Sequence, residues 1–293
     1  MLACRPMLAH TTALLAAEPT LTVFQAFVLG AVQGITELLP ISSSAHLYLF
    51  PTLLGWPYAG ATFDIALHAG TLLALFVAYF DDWRRMAVEF FSSDATKRNE
   101  ARSLFAMIVV ATVPGLMAGW KLGDLEDKLR SLPYAVPLMA TLLLVFGLLL
   151  WAADRFSRPG TAERVPGWGP AVGVGLAQCL ALVPGVSRSG ITITAGRAFG
   201  LSRMAAARFS FLLSMPITAA VVANTLLFKG RELSNAMPAS TLLVGVATSA
   251  IFGFLAIRFL LGMLRRTGFW VFALYRAVLA LGLFAWSASH LGR

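Results

Sequence analysis

Charge is what this chain has least of. Only 13% of its 293 residues are charged against 58% hydrophobic, and the mean hydropathy is +0.76. A soluble domain of this length carries about twice that share of charge, so a water-soluble globular fold is excluded and an integral membrane protein is implied. Acids are rarer than bases, 14 against 23, which leaves a formal charge of +9. That excess does not mark a nucleic-acid partner, because the cations are sparse and fall in short segments between apolar runs, where membrane proteins keep their topology-setting Lys and Arg. Cysteine is nearly absent. Cys4 and Cys179 support neither a disulfide framework nor a thiolate metal site. A signal peptide is not evident either, since the apolar run within residues 1–18 is broken by His10, Thr11 and Thr12; these residues read as an N-terminal extension.

What the chain has instead is apolar helix. A bilayer core of about 30 Å needs roughly 20 apolar residues. Six segments meet that length, at about 62–80, 103–121, 136–153, 204–227, 239–261 and 269–289. Regions 20–54 and 168–200 are also apolar, but polar stretches split each into two halves too short to span. Broken backbone at membrane depth is tolerated only where protein or a wet cavity satisfies it, so both regions read as re-entrant helix pairs. Arg84, Arg85, Lys97, Arg98 and Arg102, then Arg155, Arg158 and Arg164, then Arg265 and Arg266, define three basic loops expected on the cytoplasmic side. The alternate loops are poorer in cations. The fold expected is therefore an all-α integral membrane protein of about six transmembrane helices plus two re-entrant pairs.

Each half holds one re-entrant pair followed by three spans, and an odd number of spans inverts the second copy. The expected organisation is a single membrane domain built from an inverted-topology repeat, 19–153 and 154–293. Such repeats bring their broken helices together near the midplane, where binding sites form. The two interruptions, QGITELLPISSSAH at 33–46 and QCLALVPGVSRSGITIT at 178–194, are thus expected to meet.

Their residues suit a phosphorylated ligand. Gln33 and Glu37 lie four apart on one helical face, and a carboxylate within the membrane demands a partner. Glu37 either pairs with Arg188 or serves a ligand or metal, and Gln33 is a helix-helix hydrogen bonder or a ligand contact. Ser42, Ser43 and Ser44 follow Pro40, where hydroxyls cap a new helix and its free amides favour phosphate. His46 is a donor to a carbonyl or an acid, base or nucleophile. Ser187, Arg188, Ser189 and Thr192 combine a bidentate guanidinium with hydroxyls at another helix start. Asp64 and His68, one turn apart, offer a further metal ligand or proton aid, or are simply interfacial. Arg197, Arg203 and Arg208 are sufficiently explained by topology and anionic lipid.

Over about 20–290 the chain resembles the undecaprenyl-diphosphate phosphatases, also called bacitracin-resistance proteins. Residues 33–46, Pro184 to Thr192, Phe209 to Pro216 and Ala273-Leu274-Tyr275-Arg276 carry the resemblance. It implies hydrolysis of a C55 polyprenyl diphosphate to the monophosphate and inorganic phosphate, recycling the lipid carrier of peptidoglycan synthesis and conferring bacitracin resistance. It places roles on Glu37, Ser43, His46, Ser187, Arg188, Ser189 and Thr192. Many relatives have Glu where this chain has Gln33, so a two-carboxylate metal site is in doubt there and interest in Asp64 rises; Ala45 replaces a common glycine. The mechanism expected has Arg188 and the turn amides holding the terminal phosphate, and Mg2+ or Ca2+ bridging it to Glu37, with Gln33 and Asp64 as further candidate ligands. Ser43 or water attacks while His46 manages the proton, or His46 is itself the nucleophile. The resemblance implies a bacterial inner-membrane location and a homodimer; the loop charges put the first re-entrant pair entering from outside, so the diphosphate is expected to reach the junction from the outer side. The alternative is a polyprenyl-phosphate flippase or transporter, since inverted repeats with broken helices also build transporters.

Overall fold

The computed structural model describes residues 21–58, 60–157 and 166–290; residues 1–18, Arg158 and Arg164 lie outside them. In chain order the helices are α1 (Val23–Leu38), α2 (Ser43–Leu54), α3 (Ala61–Ala78), α4 (Phe80–Phe90), α5 (Ala95–Lys121), α6 (Leu125–Arg130) and α7 (Ala135–Phe156). After these come α8 (Trp168–Ala177), a 3-10 turn (Gln178–Leu182), α9 (Arg188–Ala198), α10 (Arg203–Ala236), α11 (Ala239–Leu264) and α12 (Trp270–His290). Six of them, α3, α5, α7, α10, α11 and α12, are long and apolar enough to cross a membrane. Their bounds lie close to the expected spans. Three expected loops are partly helical instead. The segment after the first span folds as the amphipathic α4, with Met86 buried; the 122–134 loop contains α6; and α10 continues to Ala236. A search for span-length apolar runs passes over short or polar helices of this kind.

Both broken regions are short helices separated by a proline turn. A Thr22–Gln25 capping box starts α1, and the helix stops where Leu39, extended at ψ 145°, precedes Pro40. At 16 residues it reaches about 24 Å, less than a bilayer core. Gly55, at φ 64°, ends α2 in the left-handed cap glycine permits. In the second region Pro184 and Gly185 separate the 3-10 turn from α9, whose 11 residues are shorter still.

Small residues let the helices close around these turns. α1 and α3 both lie on α11, and α8 lies on α5. A Cβ on Gly34 would meet the Ser249 carbonyl at 2.5 Å, which is the close backbone approach that small residues permit between membrane helices. One end of the molecule gathers Leu21, Phe63 and Met237 in a common apolar cluster, with Arg130 bonded to Tyr58 and Asp64. Elsewhere two acidic anchors, Asp82 and Asp154, hold arginines of α9 and α10.

The anchors correct the reading of the flanking arginines. Asp154, at the end of α7, accepts from Arg197 Nε at 3.1 Å, Arg203 Nε at 2.7 Å and the Phe269 amide at 3.0 Å, and Asp82 pairs with Arg208. These cations therefore close the structure on itself, and lipid is not needed to explain them. Arg197 and Asp154 are both buried, so removing the acid strands a buried cation. Asp154→Ala is expected to destabilise the protein by roughly 3–5 kcal/mol, measured as denaturant or thermal unfolding in detergent; a change below about 1 kcal/mol refutes the anchor role.

Candidate active site

The two turns meet. Ser42 Oγ accepts from the Gly185 amide at 3.2 Å, and Ser189 Oγ donates to the carbonyls of Glu37 at 3.2 Å and Leu39 at 3.1 Å. Those carbonyls were left without helical partners when Pro40 ended α1. The turns also match each other residue by residue. Ser42 and Ser187 immediately precede α2 and α9, and they are the two non-glycine residues with positive φ among those described, at 76° and 74°. Each has its hydroxyl beside a serine two residues on: Ser42 to Ser44 at 3.3 Å, Ser187 to Ser189 at 3.2 Å. Such backbone costs of order 1–3 kcal/mol at each residue and concentrates at functional sites. Two helix N-termini thereby open at one place, a setting that favours anions.

Between the paired serines stand Ser43 and Arg188, and both reach Glu37. Ser43 Oγ–H donates to Glu37 Oε2 at 2.5 Å. Arg188 Nη2 pairs with Glu37 Oε1, while Arg188 Nη1 donates to Thr218 Oγ1 at 2.8 Å. Gln33 Nε2 and His68 Nε2 each lie 3.3 Å from Glu37 Oε2. The carboxylate is buried, whereas the Arg188 and His68 side chains keep 20% and 26% of their surface, so the cluster is reached from the Arg188 and His68 side. His68 Nδ1 faces the Asp64 carbonyl at 2.7 Å. A carbonyl only accepts, so Nδ1 carries hydrogen, and Nε2 against a carboxylate requires a further proton between them.

His46 is placed elsewhere. Its Nδ1 lies 2.7 Å from the Ser42 carbonyl and its Nε2 2.7 Å from Tyr275 Oη, with the two rings stacked at 5.8 Å. Nδ1 donates, and Nε2 accepts from the tyrosine. Three residues beyond Ser43 on α2, His46 faces α12 and an apolar cavity of about 350 Å3 lined by Ile35, Ile41 and Phe272 among others. His68, from α3, stands where the sequence placed His46. Thr192 likewise turns inward, donating to the Arg188 carbonyl at 2.7 Å and lying 2.7 Å from Ser210 Oγ. Ser44 remains at the mouth of the first turn, its carbonyl held by Arg130 at 3.1 Å.

Asp64 belongs to a second cluster at the same end of the molecule. Its Oδ2 accepts from Arg130 Nη1 at 3.0 Å and Tyr58 Oη at 3.1 Å, and Arg130 also holds Glu126 at 2.6 Å. Burial pushes the Tyr58 hydroxyl above its ordinary range, and the Asp64 charge beside it acts in the same direction. Asp64 Oδ2 is thus shared between Arg130 and Tyr58. Among the described residues no group of three or more His, Cys, Asp or Glu side chains is placed to hold a metal. One oxygen does fit a cation: Gln33 Oε1 is buried beside Glu37 with no hydrogen-bond partner. Mg2+ commonly takes one carboxylate and fills its remaining positions with water and substrate phosphate, a mode that Gln33 and Glu37 can serve.

Sequence reasoning missed Thr218 and Arg276 and left His68 unassigned. Thr218 sits 30 residues from Arg188 on another helix, and no local pattern joins them. Arg276 falls in the Ala273–Arg276 stretch that carries the resemblance, but no local pattern gives it a role.

A family model described as bacitracin resistance protein BacA matches residues 26–282. The chain is 46% identical over 274 residues to a protein of Gemmatimonas aurantiaca named undecaprenyl-diphosphatase, covering 92% of this chain and all of the relative. Proteins of the same name from Geotalea daltonii and Pelotomaculum thermopropionicum are 46% and 42% identical, covering 90% and 92% of this chain and 97% and 98% of theirs.

Proposed function

Because the chain belongs to the bacitracin resistance protein BacA family, we propose that the two turns are where it carries out its reaction. It is a multi-pass membrane hydrolase, an undecaprenyl-diphosphatase that converts undecaprenyl diphosphate to undecaprenyl phosphate and inorganic phosphate. The observation that carries the site assignment is the junction itself: one carboxylate, Glu37, receives a hydroxyl from the first turn and a guanidinium from the second.

In this reading Arg188 and the amides opening α2 and α9 hold the terminal phosphate, and charge neutralisation there is the main catalytic term. Ser43 Oγ attacks phosphorus, its proton passes to Glu37, and the bridging P–O bond breaks to release the prenyl monophosphate. Water then hydrolyses the serine phosphate. Gln33 Oε1 and Glu37 would hold a divalent cation, Mg2+ or Ca2+, which supplies further neutralisation of phosphate charge. The flippase reading is disfavoured, since the curated relatives along the whole chain are named for diphosphatase activity. Matching positive-φ serines and the parallel packing of α1 on α11 and α8 on α5 support the inverted repeat, 19–153 with 154–293. The basic-loop pattern supports a site that opens away from the cytoplasm, and the family resemblance supports a bacterial inner-membrane location and a homodimer.

The test is phosphate release from undecaprenyl diphosphate by the purified protein in detergent, with Mg2+, with Ca2+ and with a chelator, beside Glu37→Ala. Wild-type release is expected to fall on chelation, and the variant is expected to be inactive at every metal concentration. A variant as active as the wild type removes Glu37 from the chemistry; release unaffected by chelation removes the cation.

A further inference from the structure

Arg276, on α12, is fully buried. No carboxylate among the described residues pairs with it; the buried acids are engaged by other cations. Its guanidinium instead collects carbonyls from three segments: Leu143 in α7 at 3.0 Å from Nε, Pro40 at 3.4 Å from Nη1, and Gly185 and Val186 at 2.7 and 3.1 Å from Nη2. The last three are the carbonyls of the two proline turns. Val186 immediately precedes Ser187, and Pro40 stands two residues before Ser42, so the cation grips the chain just ahead of both positive-φ serines. A Cβ on Gly190 would come within 3.0 Å of Arg276 Nη1, which places the guanidinium directly under the first turn of α9.

Freed carbonyls at membrane depth need donors, and that alone would account for a polar residue here. It does not account for an arginine. A buried, unneutralised cation is expensive, whereas a planar fork of five N–H donors is the one side chain able to serve several carbonyls at fixed relative positions. We propose that Arg276 is the positioning residue of the phosphate site: it fixes the distance between the two turns, and so sets Ser43 against Arg188, without touching the substrate. This rests on the proposed catalytic role of the turn junction.

Two variants test it. Arg276→Lys keeps the charge but loses the fork. Gly147→Ala leaves Arg276 in place but nudges it, since the added Cβ would lie 3.1 Å from Arg276 Cβ. Rate and KM for undecaprenyl diphosphate are measured on the monodisperse fraction in detergent, alongside thermal midpoints. A positioning role predicts, for Arg276→Lys, a kcat reduced roughly 100-fold, the scale on which a small misplacement acts, with KM within about threefold. It predicts a smaller loss of the same kind for Gly147→Ala. A purely structural role predicts lower yield and midpoint but unchanged kcat in the folded fraction, and that result overturns the proposal. Should Arg276→Lys yield no folded protein, unchanged kcat in Gly147→Ala overturns it equally. Failure of the underlying site assignment is recognised separately, because Glu37→Ala would then keep full activity.

Discussion

Arg188→Lys is expected to lower phosphate release from undecaprenyl diphosphate by roughly 10²–10³-fold, the usual effect of losing a preorganised donor to developing charge. Lysine preserves the positive charge, so the loss measures geometry. Arg188 divides its fork between Thr218 and Glu37, and the Thr218 contact aims the remaining edge at the junction. A lysine ammonium is a point charge on a flexible stem and cannot hold one partner while presenting a second edge to a phosphate. The comparison with Arg188→Ala is informative, because alanine also leaves the buried Glu37 without its cation and is expected to reduce stability as well as rate. Steady-state kinetics on the folded fraction decide the matter: a lysine variant within threefold of wild type would show that charge alone suffices.

Ser43→Ala carries the other large effect. Removing an attacking hydroxyl is expected to depress kcat by roughly 10³-fold or more, while the fold persists because Glu37 keeps Arg188, Gln33 and His68. Rapid acid quench of the wild type with diphosphate labelled at its terminal phosphate is expected to trap label on the chain, and peptide mapping should place it on Ser43. Label on His46 would contradict the arrangement, in which that ring is engaged on both nitrogens. Quenched protein free of label, with Ser43→Ala still slow, would transfer the attack to water oriented by the same hydroxyl.

Much of this was legible in the residues. Span-length apolar runs, the proline breaks and the demand of Glu37 for a cation are local or compositional signals, and each points to a feature of the fold: six spans, two short helix pairs, and the Glu37–Arg188 pair across 151 positions. Signals failed where an interaction joins helices with no shared pattern. His68 and His46 are chemically alike and both near polar residues; only the way α3 packs beside α1 sets His68 on Glu37, while three residues of helical rotation carry His46 to α12. Asp154 lies just past the expected span 136–153, and no local pattern ties it to Arg197 and Arg203, 43 and 49 residues away. Arg276 is the extreme case, because its acceptors are backbone carbonyls, which any sequence supplies.

The pairing of Glu37 with Arg188 also gives the site its own competing anion. A ligand must displace that carboxylate from the guanidinium, so its apparent affinity is its intrinsic affinity divided down by the strength of the internal pair. Chloride, with a single diffuse charge and no directed acceptors, has little to offer in exchange. A phosphate presenting several charged oxygens to both helix starts at once can compete. The Glu37–Arg188 pair is thereby expected to act as a threshold that weak anions fail to cross.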